Sequence, residues 1–218
     1  MLPEGGEAPV EVFRRRLEDR APAYPLPLGP QALDQLAAYL AFLDRERRRT
    51  NLTGPMPPDE LVEHALESAL GAGLLPPEAR IADVGSGAGF PGIPLAIASP
   101  SLRLVPVEPR RKRRDFLAQA AAALSLSNLE PSVSSVRSLR PASLDAAVSR
   151  AVGGIAAIMA NARFLRPGGS FLAWTTDRHG LEKELGKLFR LERVLRVPDT
   201  AHKTVALYRF AEAARPAG

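Results

Sequence analysis

Apolar residues recur at helical spacing in the first third of the chain and in short strand-like runs after residue 76. Leucines three or four residues apart predict a helix from Gln31 that ends in the basic run Arg45 to Arg49, where positive charge suits the helix dipole. Pro57-Pro58-Asp59 opens a second predicted helix with its apolar residues on one face. Before Gln31 the chain is rich in proline, so we expect an arm in which only Val12 to Arg20 is helical.

Short apolar runs and helical segments alternate from Pro76 onward. The predicted strands are Ala79 to Val84, Leu102 to Glu108, Asn128 to Val133, Leu144 to Ser149, Ser170 to Thr175, Leu191 to Val197 and Lys203 to Phe210. The predicted helices are Pro91 to Ala98, Arg111 to Leu124, Ile155 to Leu165 and Leu181 to Leu188. The alternation predicts an α/β fold whose mostly parallel sheet ends in an antiparallel hairpin. We divide the chain into an N-terminal arm and helical extension, residues 1–75, and a second domain, residues 76–212.

Composition and charge narrow the class of protein. The 218 residues include no cysteine, which excludes disulfides, thiolate nucleophiles and cysteine-ligated metals. His64, His179 and His202 are too scattered for a metal site, so we predict no metal. No apolar run reaches the ~18 residues of a membrane span, and Met1 to Val10 lacks a secretory pattern, so we expect a cytoplasmic protein without membrane contacts. The net charge of +5 favours an anionic partner, although a GC-rich genome explains the arginine excess equally well.

The most informative stretch is the glycine-rich turn from Asp83 to Gly92, directly after the first predicted strand. Its alternating glycines expose backbone N–H groups and let a ligand approach the main chain. The spacing G-x-G-x-x-G is present from Gly87, but a dinucleotide fingerprint begins at the strand end, and counting from Gly85 puts Phe90 in place of the third glycine. The Asp83 carboxylate also disfavours a pyrophosphate. The turn therefore favours a ligand with a cationic or hydroxyl-rich group.

Glu108 ends the second predicted strand, 25 residues after Asp83. Because the carboxyl ends of parallel strands meet at one edge of a sheet, both carboxylates are expected near the glycine turn. An acidic residue at a strand end is by itself usually a solvated turn residue. Beside a glycine turn, however, it can accept hydrogen bonds from both ribose hydroxyls. The two features together predict a nucleoside-binding site.

Several short motifs accompany the glycine turn in a fixed order. They are Asn51-Leu52-Thr53, His64 with Ser68, Asp83 to Leu95, Lys112-Arg113 with Phe116-Leu117, and Ser149-Arg150-Ala151. The turn and Glu108 resemble the first two motifs of class I S-adenosylmethionine-dependent methyltransferases. The whole series, from Gln31 to Phe210, resembles the RsmG (GidB) family, which methylates N7 of a guanosine in bacterial 16S ribosomal RNA. This resemblance implies a Rossmann-like, mostly parallel seven-stranded sheet with an antiparallel edge strand.

The resemblance assigns S-adenosylmethionine as the cofactor. The implied cofactor-binding residues are Asp83, Gly85, Ser86, Gly87, Gly89, Phe90, Glu108, Val136, Arg137 and Arg150. Glu108 would hold the ribose, and Val136-Arg137 would flank the adenine through their backbone. Arg150 would face the methyl-transfer end, where we expect it to be catalytic by orienting the substrate.

The basic runs near these motifs fit ribosomal RNA or the small ribosomal subunit as the partner. The predicted RNA-binding residues are Arg110, Arg111, Lys112, Arg113, Asn51 and Arg48. Such runs are more often solvated helix faces, so that alternative stays open. Two rival functions also remain: a methyltransferase acting on a small molecule, and a non-catalytic S-adenosylmethionine-binding protein that binds RNA in ribosome assembly.

The sequence departs from the family pattern at four places. Arg137 stands where an acidic residue is common, and Glu67 stands where aspartate is common. Trp174-Thr175-Thr176 replaces a frequent lysine–glycine pair. Pro106 falls within a predicted central strand, where its missing N–H is expected to cost a ladder hydrogen bond. These departures bear on the RNA target more than on the cofactor site.

Overall fold

The computed structural model describes residues 9–50 and 52–211, with the side chain of Thr50 left out. In this part of the chain the α-helices are α1 (Val10–Arg20), α2 (Pro30–Thr50), α3 (Pro58–Ala69), α4 (Gly92–Ala98), α5 (Arg111–Ala123), α6 (Ile155–Met159) and α7 (Arg178–Leu185). The strands are β1 (Arg80–Val84), β2 (Arg103–Val107), β3 (Leu144–Arg150), β4 (Leu165–Thr175), β5 (Phe189–Arg196) and β6 (Thr204–Phe210).

The strands form one mixed sheet in the order β2-β1-β3-β4-β6-β5. β1 to β4 pair in parallel, whereas β6 is antiparallel to both β4 and β5. Helices cover both faces: α1 to α5 contribute to one apolar cluster, and α6 and α7 contribute to another. The predicted α/β architecture with a terminal antiparallel hairpin is confirmed.

The predicted strand Asn128 to Val133 is wrong, and the described sheet has six strands rather than seven. This segment makes only two isolated parallel bridges to β2, at Leu129 and Val133. The N–H groups of Leu104 and Glu108 donate to it, but Pro106 between them has no N–H to donate.

Pro106 nevertheless leaves the centre of the sheet intact. β1 and β2 pair without a break, with Asp83 opposite Pro106. The N–H groups of Arg103 and Gly85 bond across this pair, so the missing donor faces the outer segment. The expected loss of a hydrogen bond therefore falls on the sheet edge, and the two strand ends that border the glycine turn stay in register.

The helix predicted over Ile155 to Leu165 is also shorter than expected, because β4 begins at Leu165 rather than at Ser170. Gly168 adopts a positive φ of 70°, and the register of β4 against β3 shifts between Leu144 and Ala146. The Pro-Gly-Gly sequence thus makes an irregularity within a strand instead of a connection before it.

The helices before β1 share the apolar core of the sheet. Phe13 and Leu17 of α1 are fully buried, and the cluster that contains them also contains Leu61 of α3 and Ile81 of β1. The predicted helix at Val12 to Arg20 is present from Val10. The division of the chain after residue 75 stays a prediction. No described helix is long and apolar enough to cross a bilayer.

Candidate active site

A cleft of about 1320 Å³ lies at the carboxyl ends of β1, β2 and β3. Gly85 follows β1, Glu108 follows β2 and Arg150 ends β3, and all three line the cleft. Val152 and Arg163, on either side of α6, complete another part of its wall. This is the position at which open α/β sheets bind ligands.

The glycine turn can form only with glycine at two of its positions. Gly85 has φ of +80°, and a Cβ there would lie 2.4 Å from Cγ2 of Val152. Gly89 has φ of +99°, and a Cβ there would lie 2.6 Å from Cδ1 of Ile93. The Gly85 N–H donates to Val107 O at 2.8 Å, which fixes the turn onto the end of β2. Sequence and packing therefore leave the backbone of this turn open to a ligand.

Glu108 is buried but borders the cleft. Its Oε2 accepts from the Gly87 N–H at 3.1 Å, and its Oε1 accepts from the Arg110 N–H at 2.8 Å. Arg113 Nη1 lies 3.7 Å from Oε2. A carboxylate has about four acceptor sites, so each oxygen keeps capacity for one hydroxyl of a ligand.

Asp83 lies beneath the turn rather than in the lining of the cleft. A Cβ on Gly92, at the start of α4, would lie 2.5 Å from its Oδ2. Oδ1 is buried and has no hydrogen-bond partner among the described residues. Burial raises the pKa of Asp83 to about 7, and the nearby Glu108 carboxylate acts in the same direction. Hydrogen bonds from Ser86 and from the Gly92 backbone act against this rise in pKa. A buried carboxyl group with one unpartnered oxygen fits the predicted cationic ligand.

Arg150 joins β3 to α3. Its Nη1 donates to His64 O at 3.0 Å and to Ser68 Oγ at 3.1 Å, and its Nη2 donates to Glu67 Oε2 at 3.0 Å. Burial lowers the pKa of Arg150. Its Cζ lies 5.7 Å from the centre of the Phe90 ring. Arg150 thus borders the cleft while both Nη atoms are held by α3.

Glu67 is a site residue that sequence reasoning treated only as a departure from the family. Its side chain is 4% exposed. Besides Arg150, its carboxylate accepts from Lys203 Nζ at 2.5 Å, and its backbone O accepts from Trp174 Nε1 at 2.6 Å. The sequence signal was the spacing of residues 64, 67 and 68, which puts three polar residues on one face of a helix.

The Phe90 ring packs against two aromatic neighbours. Its ring meets Tyr39 edge-on at 5.5 Å and His64 edge-on at 5.8 Å. Burial, with help from Arg150 and Lys203, lowers the pKa of His64 to about 4, so this imidazole is neutral at pH 7. Among the described residues, no three His, Asp or Glu side chains come together as a metal site requires.

The structure brings most of the predicted cofactor residues together. Ser86, Gly87, Phe90, Val136 and Arg137 line the cleft with Gly85, Glu108 and Arg150, while Asp83 and Gly89 support the turn from outside the lining. Residues of the lining that the sequence did not indicate include Ser135, Val152, Asn161 and Arg163.

The predicted RNA-binding residues are more dispersed. Arg110 and Arg113 line the cleft. Arg111 and Lys112 are exposed at the start of α5 and lie outside the lining. Arg48 lies on α2, where its Nη2 is 3.1 Å from Oδ2 of Asp44. Asn51 falls outside the described residues.

Comparison with known proteins identifies the family. A family model for rRNA small subunit methyltransferase G (GidB) matches residues 32–201. The ribosomal RNA small subunit methyltransferase G of Wolinella succinogenes is 35% identical over 163 residues, which cover 74% of this chain and 84% of that protein. The ribosomal RNA small subunit methyltransferase G of Deinococcus radiodurans is 37% identical over 172 residues, which cover 75% of this chain and 66% of that protein.

Solved structures confirm the fold. An O-methyltransferase from Bacillus cereus in complex with SAH superposes with a TM-score of 0.59 at 14% identity, covering 92% of this chain and 99% of that chain. The predicted Rossmann-like methyltransferase fold is therefore confirmed. On the family match and the identity to its relatives, this chain belongs to the RsmG (GidB) family of small-subunit ribosomal RNA methyltransferases.

Proposed function

We propose that this chain transfers a methyl group from S-adenosylmethionine to N7 of a guanosine in 16S ribosomal RNA, in the cytoplasm. The observation that carries the proposal is the open glycine turn beside Glu108, in which the Gly87 N–H and the Glu108 carboxylate are already paired at 3.1 Å. Membership of the family supports the methyltransferase activity and the ribosomal RNA substrate.

The residues present fit the cofactor. Glu108 has acceptor capacity for the ribose hydroxyls, and Val136 with Arg137 borders the space beyond it, where the adenine would lie. Asp83, buried beneath the turn, would favour the cationic end of the molecule through the charge of its ionised form rather than by direct contact. The bound cofactor would supply an electrophilic methyl group on its sulfonium.

The chemistry requires positioning rather than proton transfer. Guanine N7 has a lone pair and no proton, so the site needs no general base. Holding the base in line with the methyl group supplies up to about 7–11 kcal/mol in well-oriented systems. Phe90 is suited to this task because Tyr39, His64 and Arg150 fix its ring on three sides.

Arg150 is the residue that we assign to the methyl-transfer end. It lines the cleft and holds α3 against the Phe90 ring. We expect Arg150→Ala to lower methyl transfer about a hundredfold, because a displacement of about 1 Å can have an effect of this size. Arg196→Ala, an exposed change on β5, is the matched control. Unchanged turnover and unchanged substrate binding in Arg150→Ala would exclude this role.

The experiment for the whole proposal is label transfer to small ribosomal subunits that lack the modification. Incubation with methyl-labelled S-adenosylmethionine is expected to place the label on guanine N7 of 16S ribosomal RNA. Cofactor binding without any transfer would indicate a non-catalytic assembly protein instead. Transfer to small molecules, with the subunits left unlabelled, would overturn the ribosomal RNA substrate.

A further inference from the structure

The cleft carries far more positive than negative charge. Five arginines line it, and the lining contains one carboxylate, that of Glu108. Two of the five arginines have acidic partners: Arg113 with Glu108 at 3.7 Å, and Arg150 with Glu67 at 3.0 Å. The other three are Arg110, Arg137 and Arg163.

These three arginines are exposed and have no ion pair with any described residue. Arg110 precedes α5, Arg137 lies in the short turn Val136–Ser138, and Arg163 lies between α6 and β4. Exposed arginines outside the cleft include a paired one, Arg166 with Asp145 at 2.5 Å, and others without an ion pair to any described residue, such as Arg140 and Arg193. What distinguishes the three arginines is that they line one cleft together. The unpaired arginines of the cleft are therefore free to bind an anion from outside the chain.

The proposed cofactor does not supply that anion. With a sulfonium, an ammonium and one carboxylate, S-adenosylmethionine carries a net charge of +1 and adds to the positive charge of the cleft. The cleft, at about 1320 Å³, also exceeds the range of roughly 300–1,000 Å³ that is usual for a single small ligand. The size of the cleft leaves room for a second ligand, and the charge of its lining favours a polyanion.

We propose that Arg110, Arg137 and Arg163 form a phosphodiester-binding rim, which contacts the backbone of the RNA on either side of the target guanosine. The guanidinium group suits this task because its planar donors bind phosphate oxygens in pairs. Three chain segments each contribute one such group, so the rim fixes the strand at several points without reading its bases. This inference rests on the proposed function.

The test is the salt dependence of RNA binding. Each phosphate contact contributes about 0.7 to the slope of log affinity against log salt for a single strand. The triple variant Arg110→Ala/Arg137→Ala/Arg163→Ala is therefore expected to lower the slope for unmodified 16S ribosomal RNA by about 2. Val136 and Arg137 would flank the adenine through their backbone, so removal of the three side chains should leave the affinity for S-adenosylhomocysteine at the wild-type value. The triple lysine variant should keep most of the slope.

Arg193→Ala is the matched control, because Arg193 is an exposed arginine of β5 outside the cleft. An unchanged salt slope in the triple variant, or a loss equal to that in Arg193→Ala, overturns the rim. Weaker binding of S-adenosylhomocysteine by the triple variant also overturns it, since the arginines would then serve the cofactor. Failure of the proposed function is distinct, because the wild type itself would then methylate no ribosomal RNA.

Discussion

Removing the Glu67 carboxylate should destabilise the protein more than any single exposed charge does. Glu67→Ala leaves the Arg150 guanidinium, with a side chain only 13% exposed, without its carboxylate partner. At their 3.0 Å separation the two charges attract by about 5.5 kcal/mol for an effective dielectric constant near 20. Breaking a buried pair from one side typically costs about 3–5 kcal/mol. We therefore expect Glu67→Ala to lower the free energy of unfolding by about 3–5 kcal/mol.

The other contacts of Glu67 are expected to contribute less. Lys203 is 42% exposed, so its pair with Glu67 is screened, and Lys203→Met should cost below about 1 kcal/mol. Glu67→Gln keeps an acceptor for Arg150 and should cost about 1.5–3 kcal/mol, the range for hydrogen bonds to charged groups. The hydrogen bond from Trp174 Nε1 ends on the backbone O of residue 67, so it should persist in every variant.

Urea denaturation of the wild type, Glu67→Ala, Glu67→Gln and Lys203→Met measures the free energy of unfolding. Titrations of the same proteins with S-adenosylhomocysteine measure ligand binding in the cleft. Glu67→Ala should also weaken ligand binding, because Arg150 contacts the Phe90 ring. If Glu67→Ala cost no more than Lys203→Met, the reasoning about burial would be refuted. The double variant Glu67→Leu/Arg150→Met replaces both charges with apolar side chains. It should recover much of the stability that Glu67→Ala loses, because no unpaired charge then stays buried.

Four further predictions concern the glycine turn and the two carboxylates beside it. Gly85→Ala should abolish cofactor binding in calorimetry, because the new Cβ would lie 2.4 Å from Val152, whereas Gly73→Ala, with nothing within 4 Å, should bind normally. Glu108→Ala should weaken the binding of S-adenosylhomocysteine by about 1.5–3 kcal/mol. An affinity equal to that of the wild type would contradict the assignment of Glu108 to the ribose. The pKa of Asp83 is raised to about 7, and a cationic ligand favours its ionised form. Cofactor affinity should therefore rise as the pH rises through 7, and it should not change with pH in Asp83→Asn. The same raised pKa predicts that unfolding stability falls as pH rises from the ordinary value of 3.8 toward 7, a decline that Asp83→Asn should lack.

The features that sequence predicted best are local ones. The glycine turn and Glu108 were predictable because each follows a strand, and the ends of parallel strands must meet. Asn128 to Val133 was misassigned because strand-like composition does not show that the missing N–H of Pro106 faces this segment, which keeps only isolated bridges to β2.

Contacts between distant segments were beyond the sequence. Nothing in the order of residues shows that Arg150 reaches α3, or that Val152 is the side chain that excludes a Cβ at Gly85. The arginine rim was predicted only at Arg110, because Arg137 was assigned to the adenine by its backbone and Arg163 lies in no motif. These residues come together through the topology of the sheet, which brings three loops to one edge.

The attachment of α3 to the last residue of β3 makes the N-terminal helices and the cleft a single thermodynamic unit. Opening of α3 would release Arg150 and with it the support of Phe90. By linkage, any ligand that requires the closed arrangement must suppress that opening. Slower amide hydrogen exchange throughout α3 on addition of S-adenosylhomocysteine, at a distance from the ribose and adenine contacts, would be the signature of this coupling.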